Sequence, residues 1–96
     1  MKNSNMSSVG EALREAIRRY GLERNIREQE VITRWDDIVG PAISRRARPE
    51  RIDKGTLVVR VQEPAWRQEL YLRRAELMDM INAAAGRPIV SGIVFR

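Results

Sequence analysis

The sequence predicts a single α+β domain with the element order α-α-β-β-α-β, in which three strands form one sheet and the helices pack on one of its faces. The first indication is that Leu57, Val59 and Val61 alternate with residues facing the other way, as in a strand with one buried face. The second is the helical pattern that begins directly afterwards at Pro64, a residue accepted at the first helical position. The third is a pair of helix-type apolar stripes ahead of the strands.

The first helix is predicted to begin near Ser8, because Ser8 and Glu11 have the spacing of a capping box. Gly21 is placed to end it in a left-handed conformation. Residues 1–7 are polar, so we expect a mobile N-terminus ahead of one domain spanning residues 8–96. The apolar stripe of this helix consists of Val9, Ala12, Leu13, Ala16, Ile17 and Tyr20.

The second helix is predicted to open at a repeat of the same capping pattern, formed by Asn25 and Glu28. Gly40 and Pro41 stop or bend it. Residues 41–48 fit either a further helical turn or the start of a strand, since their alternation is too weak to decide. The apolar positions of this helix are Val31, Ile32, Trp35, Ile38 and Val39.

The strands and the third helix follow in close succession. Residues 49–53 form a short edge strand, because proline is tolerated at sheet edges. A tight turn at residues 53–55 leads into a second strand over residues 56–62. The third helix is predicted over residues 64–85, with Gly86 as its stop, and residues 89–95 form the last strand.

The composition argues against an enzyme. The chain has no cysteine and no histidine, which removes thiol chemistry, most zinc sites and imidazole catalysis. Most carboxylates lie three or four positions from an arginine, as exposed helical pairs do, and the adjacent Asp36 and Asp37 side chains diverge on a helix. The glycines form no phosphate-binding loop. We therefore expect no catalytic residues, no metal, no cofactor and no small-molecule substrate.

The chain also carries no sign of a membrane address. Its apolar runs fall short of the roughly 20 residues that cross a bilayer. The first residues lack the apolar segment of a signal peptide. The expected setting is therefore cytoplasmic, without a membrane partner.

The formal net charge of +5 directs attention to polyanions. Five cations fall within ten residues around the first strand, and further arginines lie on the second strand and on the polar side of the third helix. A solvated basic face or an acidic protein partner would also account for them, but together they favour a surface that follows phosphates. The predicted contacts are Arg45, Arg46, Arg48, Arg51, Lys54 and Arg60, with Arg67, Arg73 and Arg74 as an outer ring.

The aromatic residues point mainly to structure. Trp35 and Trp66 both lie on apolar helical stripes and are expected in the core. Tyr71 lies off the main stripe and is the best candidate for an exposed ring that stacks on a base, although a partly buried helix–helix contact is the favoured interpretation. Glu69 lies beside Leu70, where a carboxylate needs a partner such as backbone donors from a neighbouring turn.

The order of these motifs resembles the DciA-like bacterial domain. A Trp-x-x-Ile-Val-Gly motif begins at Trp35, followed by Pro49, a Gly-x-Leu-x-Val-x-Val strand at Gly55 and a Trp-x-x-Glu-Leu helix at Trp66. The resemblance covers roughly residues 28–96 and implies a KH-like domain that binds DNA, prefers single-stranded or tailed forms and helps the replicative helicase to load. It also implies association with the nucleoid.

Two departures from the family pattern shape this expectation. Longer members carry a disordered basic tail used with the helicase, whereas this sequence ends at Arg96, so DNA binding is expected more firmly than helicase loading. The chain also lacks the Gly-x-x-Gly clamp of ordinary KH domains, and binding would rest on side-chain cations. An RNA-binding KH-like module and an adaptor that docks on the helicase without touching nucleic acid remain alternatives.

Overall fold

The computed structural model describes residues 3–96, with side chains from residue 8 onward. Helices pack against an open three-stranded sheet, which confirms the α+β class and is consistent with a KH-like arrangement. The predicted order is also confirmed, although the second and third helices are each broken into shorter pieces. The elements are α1 (Asn3–Arg19), α2 (Leu22–Thr33), α3 (Trp35–Val39), α4 (Pro41–Ser44), β1 (Ala47–Asp53), β2 (Thr56–Val61), α5 (Pro64–Leu72), α6 (Arg74–Ala85) and β3 (Gly92–Phe95).

The sheet has the order β1-β2-β3, so the proline-containing β1 is an edge strand as predicted. β1 and β2 pair antiparallel through a tight turn in which Lys54 and Gly55 both have positive φ, 51° and 85°. β2 and β3 pair parallel, and the connection that a parallel pair requires is supplied by α5 and α6.

The core lies between one face of this sheet and the helices. Leu57 and Val59 of β2 are fully buried, and Val61 is nearly so. The indole of Trp35 is 2% exposed, and its Nε1 donates a hydrogen bond of 2.9 Å to the carbonyl of Ala47. Opposite them lie apolar side chains from three further elements, Val31, Leu70, Leu77 and Ile81. The alternation along β2 therefore predicted the buried face correctly.

Both predicted capping boxes are wrong. α1 begins at Asn3, so Ser8 lies inside the helix and cannot cap it. α2 begins at Leu22, directly after Gly21, whose φ of 68° makes a tight turn between the two helices. Asn25 therefore lies inside α2 and cannot cap it. Residues 1 and 2 lie outside the described residues, and the mobility of residues 1–7 stays a prediction.

Two long predicted helices are interrupted by local changes in backbone direction. The second breaks at Arg34 (φ −103°, ψ 17°) and again at Gly40 (φ 86°, ψ 164°), and residues 41–44 form the helical turn α4 rather than a strand. The third breaks at Arg73 (φ −104°, ψ 18°). The buried positions on both sides of each break belong to one core.

The strand boundaries also differ from the prediction. β1 begins at Ala47, two residues early, and β2 ends at Val61, one residue early. β3 begins only at Gly92, because residues 89 and 90 are fixed by other contacts. Asn82 exchanges two hydrogen bonds of 2.9 Å with the backbone of Val90, and both Ile89 and Val90 are buried.

α1 extends away from the rest of the molecule, whose longest dimension is 61 Å against 24 and 19 Å for the other two. It packs against α2 at its C-terminal end. The stripe predicted for this helix is largely outside the core, since Val9, Leu13 and Tyr20 are 61–70% exposed.

Replacing Trp35 with Phe is expected to lower the free energy of unfolding by about 1–3 kcal/mol, because the buried carbonyl of Ala47 loses its donor. The matched change Trp66→Phe affects a half-buried ring and should have a smaller effect. Urea denaturation followed by circular dichroism measures both. Equal losses in the two variants would contradict the importance of the indole hydrogen bond.

Candidate nucleic-acid interface

Four of the predicted arginines line one cleft at the end of the β1–β2 hairpin away from its turn. Arg45 and Arg46 follow α4, Arg48 lies on β1, and Arg60 is the residue of β2 paired with Arg48. The cleft has a volume of about 220 Å³ and is completed by Gln62 and Glu63. We call the group Arg45, Arg46, Arg48 and Arg60 the arginine cleft.

Carboxylates pair with three of the four arginines of the cleft: Arg60 lies 2.6 Å from the partly buried Glu50, and the other two pairs are exposed. Arg46 lies 2.9 Å from Glu63, and its guanidinium also sits over the ring of Trp66, 4.5 Å from the ring centre. Arg48 lies 2.7 Å from Asp36. These two pairs are exposed and individually weak, so a competing anion can replace their carboxylates at small cost.

The structure does not bring Lys54 to this cleft. Lys54 lies in the β1–β2 turn, at the other end of β1 from Arg48 and about 20 Å away at strand spacing. Arg51 lies between them on β1, where it faces Glu50 at 3.7 Å. The compact basic run in the sequence is therefore spread along the length of one strand.

The outer ring occupies a separate place, around α5 and the α5–α6 junction. Arg67 donates to the carbonyl of Val61 and lines a second cleft between α5 and β3. Arg74 lies over the ring of Tyr71, 4.0 Å from its centre, and Arg73 lies 3.4 Å from Glu76. The Arg67 guanidinium is thus partly engaged in a hydrogen bond to the last residue of β2.

The structure also tests the aromatic predictions. Trp35 is buried, and Trp66 is half-buried against the core, as expected. Tyr71 is 48% exposed, which confirms it as an accessible ring. Glu69 is exposed to solvent, so the partner expected for its carboxylate is unnecessary.

Sequence reasoning missed a cluster on the sheet face opposite the helices. The register of β1 shifts between Pro49 and Arg51, and this bulge makes Glu50 an extra residue on the strand. Glu50 lies 2.6 Å from Arg60, 3.7 Å from Arg51 and 3.9 Å from Arg96. We call Glu50, Arg51, Arg60 and Arg96 the Glu50 cluster. A bulge has no clear signal in this sequence, which explains why the cluster was not predicted.

The arginines lower the pKa of the Glu50 carboxyl below its ordinary value of 4.5, chiefly through the hydrogen bonds from Arg60 and also through the nearby charge of Arg96 and Arg51. Glu50 is therefore ionised at neutral pH. The cluster places three cations around one anion and leaves this part of the sheet positive.

Metal-binding and membrane-spanning features are both absent from residues 3–96. In that part of the chain no three His, Cys, Asp or Glu residues converge in a way that would hold a metal ion. The helices described there are too short or too polar to cross a membrane.

Comparison with known proteins then identifies the family. Residues 8–95 match the sequence profile described as "Dna[CI] antecedent, DciA". The chain belongs to the DciA family. A UPF0232 protein of Mycobacterium tuberculosis (strain ATCC 25618 / H37Rv) is 32% identical over 85 residues, covering 88% of this chain. UPF0232 proteins of Mycobacterium ulcerans (strain Agy99) and Mycobacterium leprae (strain Br4923) are each 27% identical over the same length and share.

This DciA-family chain spans somewhat less than half the length of the curated relatives it matches, 46% of the M. tuberculosis and M. ulcerans proteins and 45% of the M. leprae protein. The match therefore covers the domain described above. The resemblance first seen in the Trp35, Gly55 and Trp66 motifs is confirmed.

The Glu50 carboxyl is expected to titrate below 4.5 in the folded protein, and Arg60→Gln should raise its pKa toward that value. Because the pKa is lowered on folding, Glu50 contributes stability above its unfolded pKa, and this contribution is lost as the pH falls through the folded pKa. Side-chain carboxyl chemical shifts measured by NMR between pH 2 and 7 test both statements. An unchanged Glu50 titration in Arg60→Gln would contradict the assigned cause.

Proposed function

We propose that this domain is a non-enzymatic nucleic-acid-binding accessory of bacterial replication, which binds single-stranded or tailed DNA and assists the replicative helicase. The observation that supports it best is the arginine cleft, where four guanidiniums line one cleft and two of the three carboxylates paired with them, Glu63 and Asp36, are exposed. The proposed setting is the cytoplasm, in association with the nucleoid.

The chemistry of the cleft suits phosphates better than bases. Guanidinium groups can donate two parallel hydrogen bonds to one phosphate, and neighbouring arginines can hold successive phosphates of a strand. Contacts of this kind position a protein on nucleic acid without reading its sequence. The outer ring adds an exposed aromatic side chain, Tyr71, on which a base can stack beside Arg74.

Membership of the DciA family supports the link to replication and to the helicase. The preference for single-stranded or tailed DNA follows from the same family resemblance. An RNA-binding module with the same surface is the alternative on the nucleic-acid side. Matched DNA and RNA oligonucleotides of one sequence distinguish the two, since tighter binding of RNA would favour the alternative.

We expect the triple change Arg45→Gln, Arg46→Gln and Arg48→Gln to weaken binding of a single-stranded oligothymidylate of about 20 nucleotides by roughly tenfold or more. The dependence of log affinity on log salt should become shallower by about 2, because each phosphate that is no longer neutralised reduces the slope by about 0.7. Fluorescence anisotropy at several salt concentrations measures both quantities.

The matched control changes Arg18, Arg19 and Arg87 to Gln, which removes the same charge from exposed positions away from the cleft. Both triple variants should melt within about 5 °C of the unchanged protein, since the pairs they lose are exposed. Equal weakening by the two triple variants, or binding insensitive to salt, would overturn the proposal that the cleft holds the strand.

A second function, docking on the helicase through an apolar surface, is favoured by α1. Val9 and Leu13 lie on one side of this projecting helix and are exposed, as is Tyr20 directly after its last residue. Exposed large apolar side chains on one helix face are typical of surfaces that bind another protein. The two functions are compatible, because the α1 stripe and the arginine cleft lie on different elements.

If α1 docks on the helicase, Leu13→Glu should abolish co-purification of the replicative helicase from nuclease-treated cells while leaving oligothymidylate binding unchanged. The control is the triple glutamine variant of the arginine cleft, which should still recover the helicase after nuclease treatment. Loss of the helicase in the cleft variant but not in Leu13→Glu would instead indicate an association bridged by nucleic acid.

A further inference from the structure

The Glu50 cluster differs from the other ion pairs of the described residues in its number of partners. One carboxylate there is within 4.0 Å of three arginines, Arg51, Arg60 and Arg96. The Glu50 side chain is 23% exposed, whereas the three arginine side chains are 57–64% exposed. The carboxylate therefore lies beneath a layer of guanidiniums that remain open to solvent.

The position of Glu50 depends on the bulge in β1. Val58 of β2 pairs with Arg51 and Val59 pairs with Pro49, so the chain inserts Glu50 between two consecutive pairs. The inserted residue is placed on the face that also carries Arg60, although regular alternation would allow only one of Glu50 and Arg51 there. β3 leads directly to Arg96, whose backbone N–H bonds to Val59. Three separate segments thus converge on one anion.

The contacts are those that a phosphate would make. Arg60 donates a hydrogen bond of 2.8 Å from Nε to one oxygen of Glu50, and its Nη2 lies 2.6 Å from the same oxygen. A phosphate oxygen accepts the same pair of donors from an arginine. With one negative and three positive charges, the cluster keeps a surplus of positive charge that attracts a second anion.

We propose that the Glu50 cluster is a second phosphate site for nucleic acid, adjoining the arginine cleft through Arg60, and that Glu50 occupies it in the free protein and limits its affinity. A phosphate that displaces the Glu50 carboxylate from Arg60 is then held by Arg60 together with the exposed Arg51 and Arg96. Glu50 therefore acts as an internal competitor, which weakens binding and speeds release of the strand. The inference rests on the nucleic-acid binding proposed above.

The test replaces Glu50 with Gln, which keeps the shape of the side chain and removes its charge. Glu50→Gln is expected to bind the single-stranded oligothymidylate roughly fivefold more tightly in about 0.1 M salt, with a salt dependence steeper by about 0.7 for each additional phosphate that the variant neutralises. The matched control is Glu23→Gln, which changes the net charge equally and releases only Arg87. This control should change the affinity less than twofold.

Arg96 supplies a second measurement. Arg96→Gln alone should change the affinity little, because Glu50 already weakens the interaction of Arg96 with a strand, but it should remove most of the increase when combined with Glu50→Gln. Thermal melting checks that each variant is folded. Additive effects of the two changes, or a Glu50→Gln affinity no tighter than that of Glu23→Gln, would overturn the inference.

Inorganic tripolyphosphate separates this inference from the proposed function. Arginine Nε–H resonances of Arg60 and Arg96 should shift on its addition, at lower concentration in Glu50→Gln than in the unchanged protein. If tripolyphosphate behaves in this way while no variant binds the oligonucleotide, the phosphate site stands and the nucleic-acid function fails. If the oligonucleotide binds through the arginine cleft but neither probe responds to Glu50→Gln, the function stands and the inference fails.

Discussion

The buried hydrogen bond from Trp35 to the carbonyl of Ala47 is the contact on which the placement of the basic surface depends. It joins α3 to the first residue of β1 across the short helix α4. An indole in a dry core needs a partner for its N–H, and the first carbonyl of an edge strand needs a donor. One bond satisfies both groups and fixes the segment that carries Arg45, Arg46 and Arg48.

The placement of charges on the sheet depends on this hydrogen bond. With the start of β1 fixed, pairing of Arg48 with Arg60 brings two cations side by side on neighbouring strands, a juxtaposition that is unfavourable without counterions. Asp36 and Glu50 supply the counterions, from α3 and from the bulge in β1. The fold therefore tolerates a dense basic surface because Arg48 and Arg60 each have a carboxylate partner. The exposed pair of Arg48 with Asp36 contributes little to stability and is readily exchanged for another anion.

Alternation along β2 was enough to predict the buried face of the sheet, and the stop signals at Gly21 and Gly86 marked real helix ends. Local sequence signals did not predict the helix boundaries that depend on contacts between residues distant in sequence. The breaks at Arg34 and Arg73 have no proline or glycine and arise because each half of a helix packs on a different part of the core. Capping patterns at Ser8 and Asn25 were overridden because the helices start earlier.

Sequence reasoning grouped some residues of the candidate site and not others, because it also depends on local order along the chain. Charge density along the chain grouped Arg45, Arg46 and Arg48, and the structure brings these three into one cleft because neighbours in sequence stay neighbours around one strand end. It could not show that Lys54 lies at the far end of the hairpin, nor that Arg96 returns beside Glu50. Both depend on strand pairing between residues distant in sequence. Which arginines are already paired is likewise a property of the folded chain.

The projection of α1 leaves this helix and the basic face of the sheet accessible to two different molecules at the same time. A helix of 17 residues is about 25 Å long, comparable to the two shorter dimensions of the whole molecule. A protein bound at Val9 and Leu13 would lie on the part of α1 that extends away from the sheet. A partner bound to α1 would therefore leave the basic face of the sheet uncovered.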